Sequence, residues 1–195
     1  RHRMTKRTGK FLATAAAAAL LMASLTACAA GTTEMGHDDH QSDSAAAGFS
    51  GDDIMFAQMM IPHHEQAIEM STLAETRAQN PDVLALAANI KADQTPEIET
   101  MKGWLTKAGA SLDMDHAAHM DGMLTDAQMQ ALKNASGAEF DRLFLEGMIL
   151  HHEGAVEMTK MVTGSKNADA HSLGHSIDDS QTDEIAYMKE LLGKL

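Results

Sequence analysis

The sequence has one cysteine, few positive charges and none of the compact motifs that announce common enzyme chemistry. With Cys28 alone, no disulfide can form within the chain, and soft-metal chemistry beyond that residue must draw its sulfur from methionine, of which there are 16. Lys and Arg number 15 against 28 Asp and Glu, a formal net charge of −13, and five of the basic residues fall within positions 1–27. The remainder carries ten basic and 28 acidic residues, a formal −18, which makes nucleic acid a poor partner and concentrates cations near the surface. There is no HExxH zinc-peptidase motif, no phosphate-binding loop and no Gly-x-Ser-x-Gly elbow. The Glu-x-x-His steps of a di-iron carboxylate bundle are absent from the helical segments described below. Nothing in the sequence argues for an enzyme.

Residues 1–27 open with a basic head, RHRMTKRTGK, and continue as FLATAAAAALLMASLTA, a run too short and too Ala-rich to span a bilayer comfortably. This is the pattern of a secretory signal. It ends in Leu25-Thr26-Ala27-Cys28, which resembles the lipobox cut by lipoprotein signal peptidase. The expectation is cleavage and lipidation at Cys28, a membrane partner reached through that lipid anchor, and an extracytoplasmic location on the outer face of the bacterial membrane. Residues 28–50 are rich in Gly, Ser, Ala and Asp without apolar period and read as a flexible tether, with Met35, His37 and His40 in it.

The domain that follows, residues 51–195, repeats itself. Residues 53–70, DIMFAQMMIPHHEQAIEM, match 141–158, DRLFLEGMILHHEGAVEM, at an offset of 88; residues 90–102, IKADQTPEIETMK, match 177–189, IDDSQTDEIAYMK, at an offset of 87. Each repeat, about 51–109 and 136–195, is thus two helical segments, and the second copy is one residue shorter in the turn between them. Phe56, Met60, His63, Ala67 and Met70 fall on an amphipathic helical stripe, as do Phe144, Met148, His151, Ala155 and Met158. Asn80-Pro81 and Asn167 supply helix starts, Ser136 with Glu139 a capping box, and Gly109 a helix end. Pro62 and Pro96 lie inside helical patterns and predict kinks rather than breaks. Few β-branched runs argue otherwise, so the predicted fold is all-α: a four-helix bundle built from two tandem helix hairpins, with a Met/His-rich connection over residues 110–135.

Polar residues interrupt the apolar stripes at matching places. His63 and His64 straddle the inner face of the first helix, His151 and His152 that of the third, and Gln94, Glu97, Gln181 and Glu184 face inward from the second and fourth. Buried His and Glu are costly unless paired, so His63 is expected against Glu97 and His151 against Glu184. Two readings stay open at this point. The pairs can be hydrogen-bonded devices that fix the register of a non-catalytic structural or interaction module. Alternatively they hold a metal, for which imidazole, thioether and carboxylate form a donor set suited to copper or another transition metal. The connection adds Met114, His116, His119, Met120 and Met123 as an accessory donor cluster. His171 and His175 sit one turn apart, but their counterparts Leu84 and Ala88 are apolar, and they read as surface.

MMIPHHEQAIEM, HMDGML and SGAEFDRLFLEGMILHHEGAVEM resemble the secreted bacterial family termed domain of unknown function 305, over about residues 50–195. The resemblance implies a ferritin-like four-helix bundle, and some members of that family are copper-binding proteins of the periplasm or cell surface. By motif position it implies His63, His64, His151 and His152, with Met60, Met70, Met148 and Met158, as candidate copper ligands; the inward-facing positions of Gln94, Glu97, Gln181 and Glu184 put these behind them. The expected function is copper capture, storage or hand-off to a protein partner; a metal-dependent redox enzyme is the alternative from another class.

Overall fold

Capping side chains decide where the helices begin. The computed structural model describes residues 48–113 and 120–195, and every regular element among them is helical: α1 (Gly51–Arg77), α2 (Pro81–Ala108), α3 (Asp126–Asn134), α4 (Ala138–Thr159) and α5 (Ala168–Leu192). Ser50 and Asp53 form a reciprocal capping box that opens α1, the Asp53 N–H donating to Ser50 Oγ at 3.1 Å and the Ser50 N–H to Asp53 Oδ2 at 2.7 Å. Asn80 caps α2 with Pro81 behind it, Asn167 caps α5, and Gly109 ends α2 in the left-handed region at φ 65°. Both α1 and α2 run unbroken through Pro62 and Pro96.

Two sequence expectations need correction. The cap of α4 is Gly137, with no side-chain cap bond, rather than the Ser136/Glu139 box. Gly137 donates its N–H to the Arg77 carbonyl at 2.8 Å and sits at φ 64°, which shifts the helix start one residue past Ser136. The difference between the repeats is also larger than one turn residue. Where Ala74, Glu75 and Thr76 continue α1, their counterparts Val162, Thr163 and Gly164 lie in turns after α4 has ended at Thr159, because a β-branched pair and a glycine carry poor helix propensity. At the other end the last tether residues join the fold: Phe49 is buried, its ring 5.4 Å from that of Trp104, and Asn167 Nδ2 donates to the Gly48 carbonyl at 3.0 Å.

The hairpins α1–α2 and α4–α5 pack internally, and α1 crosses α4 to join them into the predicted four-helix bundle; α3 is an added short helix in the connection. The apolar interior divides into two clusters. Met70 and Met148 belong to one, with Phe140 and Phe144, and Met60 and Met158 belong to the other, with Phe56 and Trp104. Each fully buried side chain of this size contributes about 1.5–3 kcal/mol. Because positions 60 and 158 share a cluster while 70 and 148 share the other, α1 and α4 run antiparallel, and the level between the clusters is the level of the histidines.

Asp141, the counterpart of Asp53, is buried and does a different task. Its carboxylate accepts the N–H groups of Gln79 and Asn80, at 2.8 Å for the closest, and so locks the α1–α2 turn onto α4. Replacing Asp141 by Ala orphans these donors and is expected to cost about 2 kcal/mol in a urea unfolding series; an unchanged midpoint would show the lock to be dispensable.

Candidate metal centre

Four imidazoles occupy the layer between the apolar clusters, and all four are fully buried. His63 and His151, equivalent residues of the two repeats, meet across the α1–α4 crossing with ring centroids 3.7 Å apart and planes inclined by 39°. The antiparallel arrangement brings each residue onto its own counterpart, so the contact marks the local pseudo-two-fold axis. His64 Nε2 donates to Glu97 Oε2 at 2.8 Å, and His152 Nε2 donates to Glu184 Oε2 at 2.6 Å. The expected pairs, His63 with Glu97 and His151 with Glu184, are therefore each displaced by one residue. The two members of a doublet diverge by about 100° around the helix. The second turns toward the hairpin partner that carries the glutamate, and the first turns toward the opposing repeat.

Hydrogen bonding leaves specific nitrogens free. His63 Nε2 donates to the Asp121 carbonyl at 3.2 Å. Among the described residues, the buried side-chain nitrogens and oxygens without a partner include Nδ1 of His63, His64 and His152, both ring nitrogens of His151, both amide atoms of Gln94 and Oε1 of Gln181. Unpaired polar groups inside a bundle are expensive, and apart from Asp53 Oδ1 and Ser71 Oγ those here belong to the two histidine doublets and to Gln94 and Gln181. Imidazoles that bind metals characteristically donate their remote N–H to a carboxylate or a backbone carbonyl, which fixes the tautomer and aims the other nitrogen. His64, His152 and His63 all have that arrangement. Gln94 and Gln181 are buried one turn from Glu97 and Glu184, as expected.

Burial, followed by the adjacent His64, pulls the His63 imidazole down from its ordinary 6.5 to about 3. Burial, followed by His63, His152 and His64, holds His151 well below 6.5 too. Asp93 is held above its ordinary value by desolvation and then by the charges of Glu184 and Glu97, an acidic group beside the histidine layer.

Met60, Met70, Met148 and Met158 are buried in the clusters on either side of the layer. Among the described residues, no three His, Cys, Asp or Glu side chains converge to hold a metal by themselves. A metal at this level must therefore recruit thioether sulfur or a repositioned ring. Of the accessory cluster, Met120 and Met123 are half-buried in the loop before α3, while Met114, His116 and His119, like Cys28, lie outside the described residues.

That loop is the part of the site that periodicity did not disclose. Gln66 clamps it to α1, donating to the Leu124 carbonyl at 3.0 Å and accepting the Leu124 N–H at 2.8 Å. The counterpart of Gln66 in the second repeat is Gly154. A Cβ there would lie 2.0 Å from the Asp121 carbonyl oxygen, and one on Gly122 (φ 83°) would lie 2.5 Å from the Leu150 carbonyl oxygen. The two repeats thus hold one loop asymmetrically, by a clamp on α1 and by a gap on α4. The only sequence signal was the HHEQ/HHEG difference between the doublet motifs.

Two outcomes follow from this geometry. His63 and His151 bind protons more readily unfolded than folded, so their contribution to stability is complete above about 6.5 and is lost as pH falls from there toward 3. The urea midpoint should drop across that window and drop less in a His63→Gln/His151→Gln variant; an equal slope in both proteins would reassign the acid sensitivity. Gly154→Ala should cost about 1–3 kcal/mol through displacement of residues 121–122, seen as a lowered thermal midpoint, whereas Gly103→Ala, where an added Cβ meets nothing within 4 Å, should not.

Among curated proteins none matches this sequence. Solved structures do. A DUF305 protein from Streptomyces coelicolor is 31% identical, with 73% of this chain and 93% of that one covered and a TM-score of 0.70. A DUF305 fragment from Deinococcus radiodurans is 30% identical over 75% and 98%, again with a TM-score of 0.70. CopM in its Cu(I)-bound form is 33% identical over 73% and 96%, with a TM-score of 0.63, and CopM has also been seen bound to Cu(II) and to silver. The sequence profile of the domain of unknown function termed DUF305 matches residues 53–192, and the chain belongs to that family.

Proposed function

We propose that this protein is a lipid-anchored extracytoplasmic copper-binding protein that captures copper for storage or for hand-off to a protein partner, without catalysing a reaction. The observation that carries the reading is the set of buried, unpartnered imidazole nitrogens whose opposite N–H groups are already committed to Glu97, Glu184 and the Asp121 carbonyl. Similarity to CopM, whose structures include Cu(I)-, Cu(II)- and silver-bound forms, points to the same ions. Imidazole accepts both oxidation states of copper, and thioether sulfur favours the reduced one.

In this reading His63, His64, His151 and His152 present nitrogen, and Met60, Met70, Met148 and Met158 present sulfur from the flanking clusters. Glu97 and Glu184 keep the two outer rings in one tautomer, and Gln94 and Gln181 line the level with polar groups. Neutral rings are the binding form, and the low proton affinity of His63 keeps it neutral at physiological pH. The loop over residues 120–124 closes the layer against water. Anchoring rests on the signal-like residues 1–27 and the Leu25-Thr26-Ala27-Cys28 site; among the described residues no helix is long and apolar enough to cross a membrane. The reading as a register device draws on the closed His64–Glu97 and His152–Glu184 pairs. It gives no role to the five free imidazole nitrogens or to the unpaired Gln94 amide.

The test is an anaerobic Cu(I) titration against a chromophoric chelator. The wild type should compete; variants with all four histidines changed to Ala, or with Met60 and Met158 changed to Leu, should compete at least tenfold less well while keeping their helical circular dichroism. If the wild type fails to compete, or the folded variants compete equally, the proposal is wrong.

A further inference from the structure

On the flank of α5, away from the buried layer, His171 and His175 are exposed and stand one turn apart. Their ring centroids are 4.6 Å apart in an edge-to-face arrangement. Among the described residues neither imidazole has a hydrogen-bond or ion-pair partner. At about 100° per residue, His171, His175 and Asp178 fall within a sector of about 60°. Two imidazoles thus share one face with a carboxylate at its next turn.

The first repeat shows that the bundle does not require these residue types. The counterparts of His171, His175 and Asp178 are Leu84, Ala88 and Lys91, and Lys91 is committed to an ion pair with Glu75. All three positions differ in the direction that creates a cation site. His171 and His175 are exposed, as are Leu84 and Ala88, and Asp178 is half-buried, so core packing does not account for the two histidines.

The turn that carries the pair is firmly seated. Ala170, Gly174 and Ile177 are buried on its inner side, and Gly174 lies so close to Val162 that a Cβ would stand 2.6 Å from Val162 Cγ2. Asn167 fixes the helix start by accepting the N–H groups of Asp169 and Ala170 at 3.0 and 3.1 Å. Donors mounted on a packed helical turn lose little freedom when they bind, which favours a site of two protein ligands.

We propose that His171 and His175 form a second, surface metal site for a borderline divalent cation such as Ni(II), Zn(II) or Cu(II). The two imidazoles ligate directly, and Asp178 contributes negative charge and accepts a hydrogen bond from a metal-bound water. Among the described residues no third His, Cys, Asp or Glu converges on the pair, so water completes the coordination and the ion exchanges readily. The absence of sulfur separates its preference from that of the buried layer: nitrogen and oxygen donors suit divalent ions rather than Cu(I). The proposal is independent of copper binding at the bundle centre.

Ni(II) titrated into the whole chain by calorimetry tests it. H171A/H175A, altered only at exposed positions, should keep its circular dichroism and bind one Ni(II) fewer per chain than the wild type. Asp178→Asn should weaken that same step about tenfold. Leu84→His/Ala88→His should add one Ni(II) by rebuilding the pair in the first repeat. Equal stoichiometry and affinity for Ni(II) in the wild type and H171A/H175A would overturn the proposal, whatever the behaviour of the other variants.

Discussion

Everything at the centre of this bundle depends on keeping four imidazoles dry. A histidine ring excluded from water must find partners for both nitrogens, and at this level the protein supplies partners for three of the eight. Glu97, Glu184 and the Asp121 carbonyl take one N–H each. The remaining nitrogens, with the Gln94 amide, form a buried polar level between two apolar clusters that hold the four methionines. A fold maintained only for stability would gain by filling that level with hydrocarbon. Its cost is understandable when the unpaired groups are ligands awaiting an ion.

The duplication explains how such a level is assembled. Two copies of one hairpin, crossing antiparallel, bring His63 onto His151 and place each outer histidine beside the glutamate of its own hairpin. Symmetry alone would leave the layer open on the side of the connection. The loop over residues 120–124 covers it, and because a single loop cannot satisfy both copies alike, equivalent positions have diverged: Gln66 grips the loop and Gly154 makes room for it. The repeats also differ on an outer flank, where Leu84, Ala88 and Lys91 correspond to His171, His175 and Asp178.

Much of this was legible in the residues. Repeated stripes of Phe, Met, His and Ala at helical spacing disclosed the helices and their buried faces, because burial on one side imposes that period. Asn80-Pro81, Asn167 and Gly109 marked helix ends because their chemistry satisfies terminal backbone groups locally. The partner of each histidine was not legible. Adjacent residues diverge by about 100°, and which flank faces which neighbour depends on how the helices cross, a property of the assembled bundle. The cap at Gly137 was missed because the Arg77 carbonyl that fixes it is 60 residues away in sequence. The loop contact was missed for the same reason: Gly154 is conspicuous only once Asp121 lies against it.

The central claim is that the unpaired imidazoles are copper ligands, and X-ray absorption at the copper edge of the Cu(I)-loaded protein addresses it most directly. The account predicts imidazole nitrogen scattering, with its outer-ring multiple-scattering signature, together with a sulfur shell from methionine, and loss of the imidazole signature when His63, His64, His151 and His152 are replaced. A spectrum with no imidazole contribution, or one unchanged by those replacements, would contradict it.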